Sequence, residues 1–259
     1  KMELFQIWNS PVHDLSPLVN WTSLQQLTLI SNQVSDLRPL SNLTQLASCI
    51  ILENEVSDLK PLADLHALEV LGLTGNQISD LSPLANLSQL KVLDIGDNRV
   101  QDASPLSNLR ELYALALNDN EIADVHFLAG LTQLRTLTVA NNRLTGLPDL
   151  TGLVNLTPNG TDFSANRIPA DEMRSKLPTQ LAANKQWIIL NKYPYAGDLT
   201  GDDKVDIRDV MAACRILARK SVGDRDLTPE QIDRGDIDGN GDVTIQDVMA
   251  ICKIIASKV

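Results

Sequence analysis

An asparagine recurs every 22 residues through the first part of the chain, and this period constrains the fold more than any other feature of the sequence. The segment LQQLTLISNQVSDLRPLSNLTQ at 24–45 returns almost unchanged as LEVLGLTGNQISDLSPLANLSQ at 68–89. So short a fixed period predicts a solenoid, in which each unit buries its apolar face against its neighbours. The asparagines of the series are Asn32, Asn54, Asn76, Asn98, Asn120 and Asn142.

Within each unit, the pattern L-x-x-L-x-L predicts a short strand whose leucines point inward. We expect the asparagine amide to bond the backbone of adjacent turns. An aspartate follows four residues later, ahead of L-x-P-L, and predicts the N-cap of a short helical or 3₁₀ turn on the convex side. A column of carboxylates also resembles a metal or acid site, but capping explains it without chemistry. The column consists of Asp14, Asp36, Asp58, Asp80, Asp102 and Asp124.

The repeated phrase resembles the leucine-rich repeats of bacterial internalins, and the resemblance covers 1–168. It implies an α/β solenoid with a parallel sheet on its concave side, and a protein-binding surface on that sheet. The phrase loses its aspartate at Gly146, and the unit at 156–168 is two residues longer, so the array ends there. Residues 169–196 predict a short helix, a strand at 186–191 and a linker, which together cap the open end of the leucine core.

The chain opens inside a repeat, and neither a cap nor a signal peptide is visible ahead of it. We therefore expect an N-terminal portion to precede residue 1, so that the array of repeats is incomplete at that end.

Apolar side chains are expected on the concave face of the first three repeats, whereas later repeats carry small or polar residues there. A contiguous exposed apolar patch usually marks an interface. Two interpretations stay open, a protein-binding surface or a face that an upstream cap or loop covers. The patch consists of Trp8, Ile30, Ile50 and Leu52.

A second internal repeat follows, offset by 38 residues: GDLTGDDKVDIRDVMAACRIL and GDIDGNGDVTIQDVMAICKII. Calcium takes six to eight oxygen ligands, and a 12-residue loop supplies them from positions 1, 3, 5, 7, 9 and 12. Gly241 gives the second loop its sharp turn, so we expect that loop to bind more tightly. The first ligand set is Asp198, Thr200, Asp202, the Lys204 carbonyl, Asp206 and Asp209; the second is Asp236, Asp238, Asn240, the Asp242 carbonyl, Thr244 and Asp247.

Aspartate at position 12, the missing helix before the first loop and the duplication make 197–259 resemble a type I dockerin. The resemblance implies a small all-α domain with two EF-hand-like loop–helix motifs and two Ca²⁺ ions. It also implies calcium-dependent binding to a cohesin module of a scaffolding protein, as in a cellulosome. The Ser-Thr pair that is usual in this family is absent, so the resemblance does not imply which cohesin is bound. Both copies carry nearly the same set of contact residues, so either helix can dock. The implied cohesin contacts are Ile207, Arg208, Met211, Cys214, Arg215, Ile245, Gln246, Met249, Cys252 and Lys253. An alternative is that Cys214 and Cys252 fill gaps in the core.

The sequence contains no catalytic constellation. No nucleophile lies at a plausible spacing from a base, and Cys49 replaces a core leucine. A net charge of −11 disfavours nucleic acid, and no apolar run is long enough to insert into a membrane. We therefore expect a secreted or scaffold-attached adaptor that is not an enzyme and that binds a cohesin and a second, unknown protein. Extracellular calcium levels suit such loops. The alternatives are a non-catalytic part of a larger secreted enzyme and an intramolecular calcium clasp.

Overall fold

The parallel sheet of the solenoid follows the 22-residue period directly. The computed structural model of the chain describes residues 3–182, 199, 207–221, 235 and 243–256. Within 3–182, eight parallel strands form one sheet whose strand order is the chain order. The strands are β1 (Leu4–Trp8), β2 (Gln26–Ile30), β3 (Ser48–Leu52), β4 (Val70–Gly72), β5 (Val92–Asp94), β6 (Ala114–Ala116), β7 (Thr136–Thr138) and β8 (Thr161–Asp162).

The register between strands equals the sequence period. Thr28 pairs with Ile50, and Leu71 pairs with Leu93. Only the last pairing departs from the period, because Leu137 pairs with Thr161 in the unit that is two residues longer. The predicted parallel sheet of a leucine-rich-repeat solenoid is confirmed.

Short 3₁₀ turns form the return path of most units. In each of the first five units, proline is the second residue of the turn. Proline suits this place because its fixed φ is already helical and its missing N–H would have no partner there. The turns are Ser16–Leu18, Arg38–Leu40, Lys60–Leu62, Ser82–Leu84, Ser104–Asn108, His126–Gly130 and Pro158–Gly160.

Leucine fills the core between the sheet and the 3₁₀ turns. The inward strand residues Leu27 and Leu29 are fully buried, and one continuous cluster runs from Leu15 to Leu181. Cys49 replaces a strand leucine, is fully buried, and carries a free thiol. Burial raises the pKa of this thiol to about 12, since the thiolate would lose its hydration. Cys49 is therefore a packing residue, as predicted.

The recurring asparagines join each unit to the unit before it. The side-chain amide of Asn76 donates to the carbonyls of Ile51 (2.8 Å) and Leu73 (2.9 Å). Its Oδ1 accepts the Val56 N–H at 3.0 Å. One buried side chain thus satisfies backbone groups in two units, as the sequence predicted. Asn166 continues the ladder in the last repeat in spite of the two extra residues.

The first repeat differs from the others at the outer end of the sheet. Phe5 and Trp21 pack edge to face, with ring centroids 5.2 Å apart, where the next unit has leucines. In that next unit the Gln33 N–H donates to the Val12 carbonyl, whereas Pro11 at the equivalent position has no N–H. Two larger rings therefore pack against the core in the first repeat, where Pro11 offers no backbone donor.

Two helices close the other end of the leucine core: α1 (Ala170–Lys176) and α2 (Thr179–Ala182). Their side chains Met173, Leu177 and Leu181 join the core cluster. The short helix predicted after Pro169 is therefore confirmed, and the strand predicted at 186–191 lies outside the described residues.

A carboxylate from α1 lies beside Gly146, where the phrase loses its aspartate. Glu172 Oε2 accepts the Leu147 N–H at 2.7 Å, and Lys176 Nζ donates to the Leu147 carbonyl at 2.7 Å. A Cβ at Gly146 would lie only 3.1 Å from Glu172 Oε2, so the glycine leaves room for this contact. The loss of the aspartate therefore makes room for the hydrogen bond that joins α1 to the last regular repeat.

Two longer helices lie in the carboxy-terminal part of the chain, α3 (Ile207–Ser221) and α4 (Ile245–Ala256). Ala213, Val248 and Ile251 form their common buried core, and Val210 and Leu217 pack against it. In the described part of the chain, we find no helix with the length and apolarity that a membrane span requires.

The hydrogen bonds of the asparagine ladder let us predict how much stability the solenoid loses when one amide is removed. Asn76→Ala should lower the free energy of unfolding of the solenoid by about 2–4 kcal/mol, because the buried Val56 N–H and the buried Ile51 carbonyl lose the amide as their partner. Urea denaturation followed by circular dichroism measures this difference. The neighbouring Gln77→Ala, at an exposed position, is the control and should change stability by less than about 0.5 kcal/mol. Equal losses for both variants would contradict the structural role of the amide.

Candidate functional site

The concave face of the first three repeats carries the apolar patch. In register, Trp8 lies beside Ile30 and Ile30 beside Leu52, with Ile50 in the adjacent column. Trp8 is 54% exposed, whereas Ile30, Ile50 and Leu52 are half-buried. The four predicted side chains therefore share one surface, on which Trp8 protrudes furthest.

Two further apolar residues, which were not predicted from the sequence, lie on the same face of the sheet. Leu4 in β1 is 49% exposed, and Val70 begins β4 with a half-buried side chain. Both belong to the third outward column of the strands, which period-two alternation along L-x-x-L-x-L also indicates. Gly72 adds a shallow floor, since a Cβ there would lie 3.4 Å from Leu52 Cδ2 and 3.6 Å from Ile50 Cγ2.

The other half of the concave face is polar. Asp94 Oδ1 accepts the Thr74 hydroxyl at 2.6 Å and the Gly96 N–H at 3.0 Å. Asp162, in register with Thr138, lies at the far end. None of the outward residues of β1–β8 is basic. The face thus offers an apolar half and a half with fixed hydrogen-bonding groups and negative charge.

The aspartate column on the convex side is occupied by backbone hydrogen bonds. Each of the six carboxylates accepts the N–H two residues further on, for example Ser16 N to Asp14 Oδ1 at 2.8 Å and His126 N to Asp124 Oδ1 at 2.7 Å. The N-cap in the structure is the residue between them, such as Leu15. The prediction that the aspartate is itself the N-cap is therefore wrong by one residue. A tight 3₁₀ start makes this an Asx turn. Among the described residues, no group of three or more His, Cys, Asp or Glu side chains is arranged to hold a metal.

Three of the predicted calcium ligands lie within the described residues. Asp209 and Asp247 are fully buried in the first turns of α3 and α4. Thr244 donates to Asp247 Oδ2 from its N–H at 2.7 Å and from its hydroxyl at 2.8 Å. The remaining ligands lie outside the described residues: Asp198, Thr200, Asp202, Lys204, Asp206, Asp236, Asp238, Asn240 and Asp242.

The chemistry of these groups suits a calcium ion. A buried carboxylate is costly unless charges or hydrogen bonds compensate it, and the first turn of a helix favours negative charge. The donors of this part are oxygens, which a hard cation prefers. The same buried aspartate recurs 38 residues later at the equivalent place on the second helix.

One face of each helix exposes the residues implied to contact a cohesin. Met211 is 52% exposed, Met249 58% and Ile245 56%, which is unusual for large apolar side chains outside an interface. Arg208, Cys214, Arg215, Gln246 and Cys252 are exposed as well, while the side chains of Ile207 and Lys253 lie outside the described residues. Cys214 and Cys252 are free thiols on this surface. The interpretation that they fill core gaps is wrong, because Ala213 and Ile251 occupy the core instead.

Comparison with known proteins supports both resemblances, that of the repeats to internalins and that of the carboxy-terminal part to dockerins. The model of the family "Dockerin type I domain" matches residues 196–256. Two internalins of Listeria monocytogenes match the repeats: inlF with 39% identity and a TM-score of 0.60 over 63% of this chain, and inlC2 with 30% identity and a TM-score of 0.61 over 70%. The chain belongs to the internalin-type leucine-rich-repeat proteins and carries a type I dockerin domain.

The chain covers only part of the length of the internalins that it matches. This internalin-type chain spans 48% of the inlF chain and 76% of the inlC2 chain. A leucine-rich-repeat protein of Leptospira interrogans, 23% identical with a TM-score of 0.58, covers 65% of this chain and shares its fold. No curated protein matches the sequence. Internalin-type repeats and dockerins are non-catalytic modules, and together they support a role in protein–protein interaction.

The aspartate column of the internalin-type repeats predicts acid sensitivity. The Arg38 side chain lowers the pKa of Asp36 to about 2, and hydrogen bonds from Ser82 lower the pKa of Asp80. A carboxyl group whose folded-state pKa lies below its unfolded value, about 3.9, contributes stability that is present above that value and is lost as the pH falls through the folded-state pKa. The urea midpoint should therefore fall between pH 4 and pH 2.

The control is the double variant Asp36→Asn and Asp80→Asn, whose amide oxygens accept the same N–H groups without titrating. The midpoint difference between this variant and the unmodified chain should shrink as the pH falls from 4 to 2. A constant difference over this range would contradict the assignment.

Proposed function

We propose that the protein is a secreted, non-catalytic adaptor that connects two proteins. Its dockerin, at 197–259, binds a cohesin module of a scaffolding protein in a calcium-dependent way. Its repeats, at 1–168, bind a second protein through the concave face, and 169–196 serve as cap and linker. The dockerin match carries the proposal, because it joins a module that docks to a solenoid that offers a separate surface.

Two calcium ions are expected to organise the dockerin through the two predicted ligand sets. The ions supply positive charge that compensates closely spaced carboxylates, and metal binding of this kind is coupled to folding. The buried Asp209 and Asp247 support this assignment, because each is a carboxylate without solvent contact in the first turn of its helix. Scarce cytosolic calcium makes an extracellular location the consistent one.

The cohesin contact is expected on the exposed faces of α3 and α4. Large exposed apolar side chains beside arginine have the composition of binding hot spots. Met211 and Arg215 on α3 correspond to Met249 and Lys253 on α4, at a constant offset of 38 residues. Because the two faces have nearly the same side chains, we propose that either helix docks, in orientations related by the internal pseudo-symmetry.

Calcium-dependent capture tests the dockerin end. A type I cohesin module should bind the full chain in millimolar calcium and lose at least 100-fold in affinity in excess chelator, as measured by isothermal titration calorimetry. Met211→Ala with Arg215→Ala, or Met249→Ala with Lys253→Ala, should each cost less than tenfold, while all four together should cost at least 100-fold, since a typical hot spot contributes about 2 kcal/mol.

Arg110→Ala, at an exposed position before the strand β6, is the matched control and should leave the affinity unchanged. Binding that survives both the chelator and the fourfold variant would contradict cohesin docking through these faces. If the fourfold variant leaves every external interaction intact while chelation unfolds the domain, the calcium loops act as an intramolecular clasp.

The concave face is tested independently once a cohesin module saturates the dockerin. Host extracellular proteins captured by the immobilised chain should be lost at least tenfold with Trp8→Ser and Leu52→Ser, because these changes remove the apolar anchors of the patch. Tyr113→Ser is the matched control: its side chain is 43% exposed and lies outside the strands. Capture that is the same for both variants would favour the alternative in which another segment of the protein covers the patch.

An adaptor of this kind is also compatible with a larger protein. The chain spans about half of the inlF chain that it matches. A catalytic domain attached elsewhere would make these modules the non-catalytic, targeting part of a secreted enzyme.

A further inference from the structure

A cleft of about 340 Å³ opens between the last two repeats, and its lining residues belong neither to the apolar patch nor to α3 and α4. Its volume lies in the range of small-ligand sites, roughly 300–1,000 Å³. Two arginines, two asparagines and a threonine surround it, so most of its lining side chains are hydrogen-bonding groups. The lining residues are Asn141, Asn142, Arg143, Thr145, Ala165 and Arg167.

The cleft exists because of a small residue at one turn position. Each repeat has one residue with positive φ directly after its strand region, and in the last two repeats these are Asn141 (51°) and Ala165 (54°). The Asn141 amide donates to Asp119 Oδ1 of the preceding unit at 2.7 Å. Ala165 cannot continue this side-chain ladder, so the space above Asn141 stays open.

Alanine is also a poor choice for this backbone conformation. Positive φ is tolerated best by glycine, asparagine and aspartate, and alanine carries a steric cost there. An asparagine at 165 would both relieve that cost and fill the cleft. Ser31 and Glu53 have positive φ at the same turn position of earlier repeats, and Ala165 differs from them in its short side chain.

Positive charge exceeds negative charge around the cleft. In the column that follows the ladder asparagines, Arg143 Nη2 pairs with Glu121 Oε2 of the preceding unit at 3.1 Å. The next member of the column is Arg167, a second cation at one repeat spacing, which is about 5 Å. Among the described residues, the structure pairs no carboxylate with Arg167. Two neighbouring guanidinium groups in a protein of net charge −11 favour an anion between them.

We propose that this cleft binds an oxyanion, the carboxylate or phosphate group of a small polar ligand. The guanidinium groups of Arg143 and Arg167 provide the charge and the forked donors that suit such oxygens. The Thr145 hydroxyl and the Asn141 amide oxygen provide a donor and acceptors for further polar groups of the ligand. The site is independent of both proposed docking surfaces.

Anion titration of the full calcium-loaded chain tests the proposal. Inorganic phosphate and acetate are the two probes, with chloride at matched ionic strength as the reference, and the readout is the NMR shift of the arginine side-chain Nε–H signals. Arg143 and Arg167 should shift and saturate at millimolar concentrations with at least one probe, while Arg99, in the same column, should not. Preference for phosphate or for acetate identifies the tetrahedral or the planar group. Shifts that do not saturate, or that are equal at Arg99 and Arg167, would overturn the site.

Two variants separate binding from folding. Arg167→Gln should weaken anion binding at least tenfold, and the matched Arg99→Gln should leave it unchanged. Ala165→Asn should raise the urea midpoint and weaken anion binding at least tenfold, because the amide fills the cleft while the backbone strain decreases. A lower midpoint for Ala165→Asn, or unchanged anion affinity in that variant, would contradict the explanation of the cleft.

Discussion

The buried asparagine amide is the interaction on which the solenoid depends. A leucine packs equally well against many apolar neighbours, so leucine alone does not define which residue of one unit faces which residue of the next. The amide does, because it needs a donor and acceptors at fixed distances and is buried where water cannot replace them. Asn76 bonds the strand ends of its own unit and of the unit before it, and its equivalents do the same along the array. The register of the sheet and the columns on its faces follow from this ladder.

A ladder of this kind needs a different arrangement where the repeats stop. After the last repeat, the helix α1 supplies apolar side chains to the core and the Glu172 carboxylate to the last regular unit. Such a cap is needed because a solenoid unit cannot bury its apolar face alone.

The two parts of the proposed adaptor are stabilised in different ways. The solenoid fixes side chains through backbone register, so its concave face is a stable surface without any ligand. In the described part of the dockerin, the helices α3 and α4 share an apolar core around Ala213, Val248 and Ile251. A module of about 60 residues is only marginally stable from its apolar core alone, and metal ions are a common way to stabilise such modules. This difference makes the dockerin end the natural place for control by calcium, while the repeats stay folded.

The sequence by itself determined the parts of the structure that repeat. The 22-residue period predicted the parallel sheet, the inward leucines, the bonding of the asparagines and the backbone role of Asp14 and its equivalents, because each depends on contacts that recur in every unit. The 38-residue offset identified the paired loop–helix motifs in the same way. The ligand sets and contact residues predicted from it remain predictions, since most of the ligands lie outside the described residues.

Only the tertiary structure decided what happens where the pattern breaks. It showed that Glu172 lies beside Gly146 and accepts the Leu147 N–H, that Leu4 and Val70 lie on the concave face, that Cys214 and Cys252 are exposed, and that a cleft is lined by Arg143 and Arg167. Each of these depends on which side chains from distant parts of the chain come within a few ångströms of one another. A period reports what neighbouring units have in common, and it carries no information about contacts that are made once.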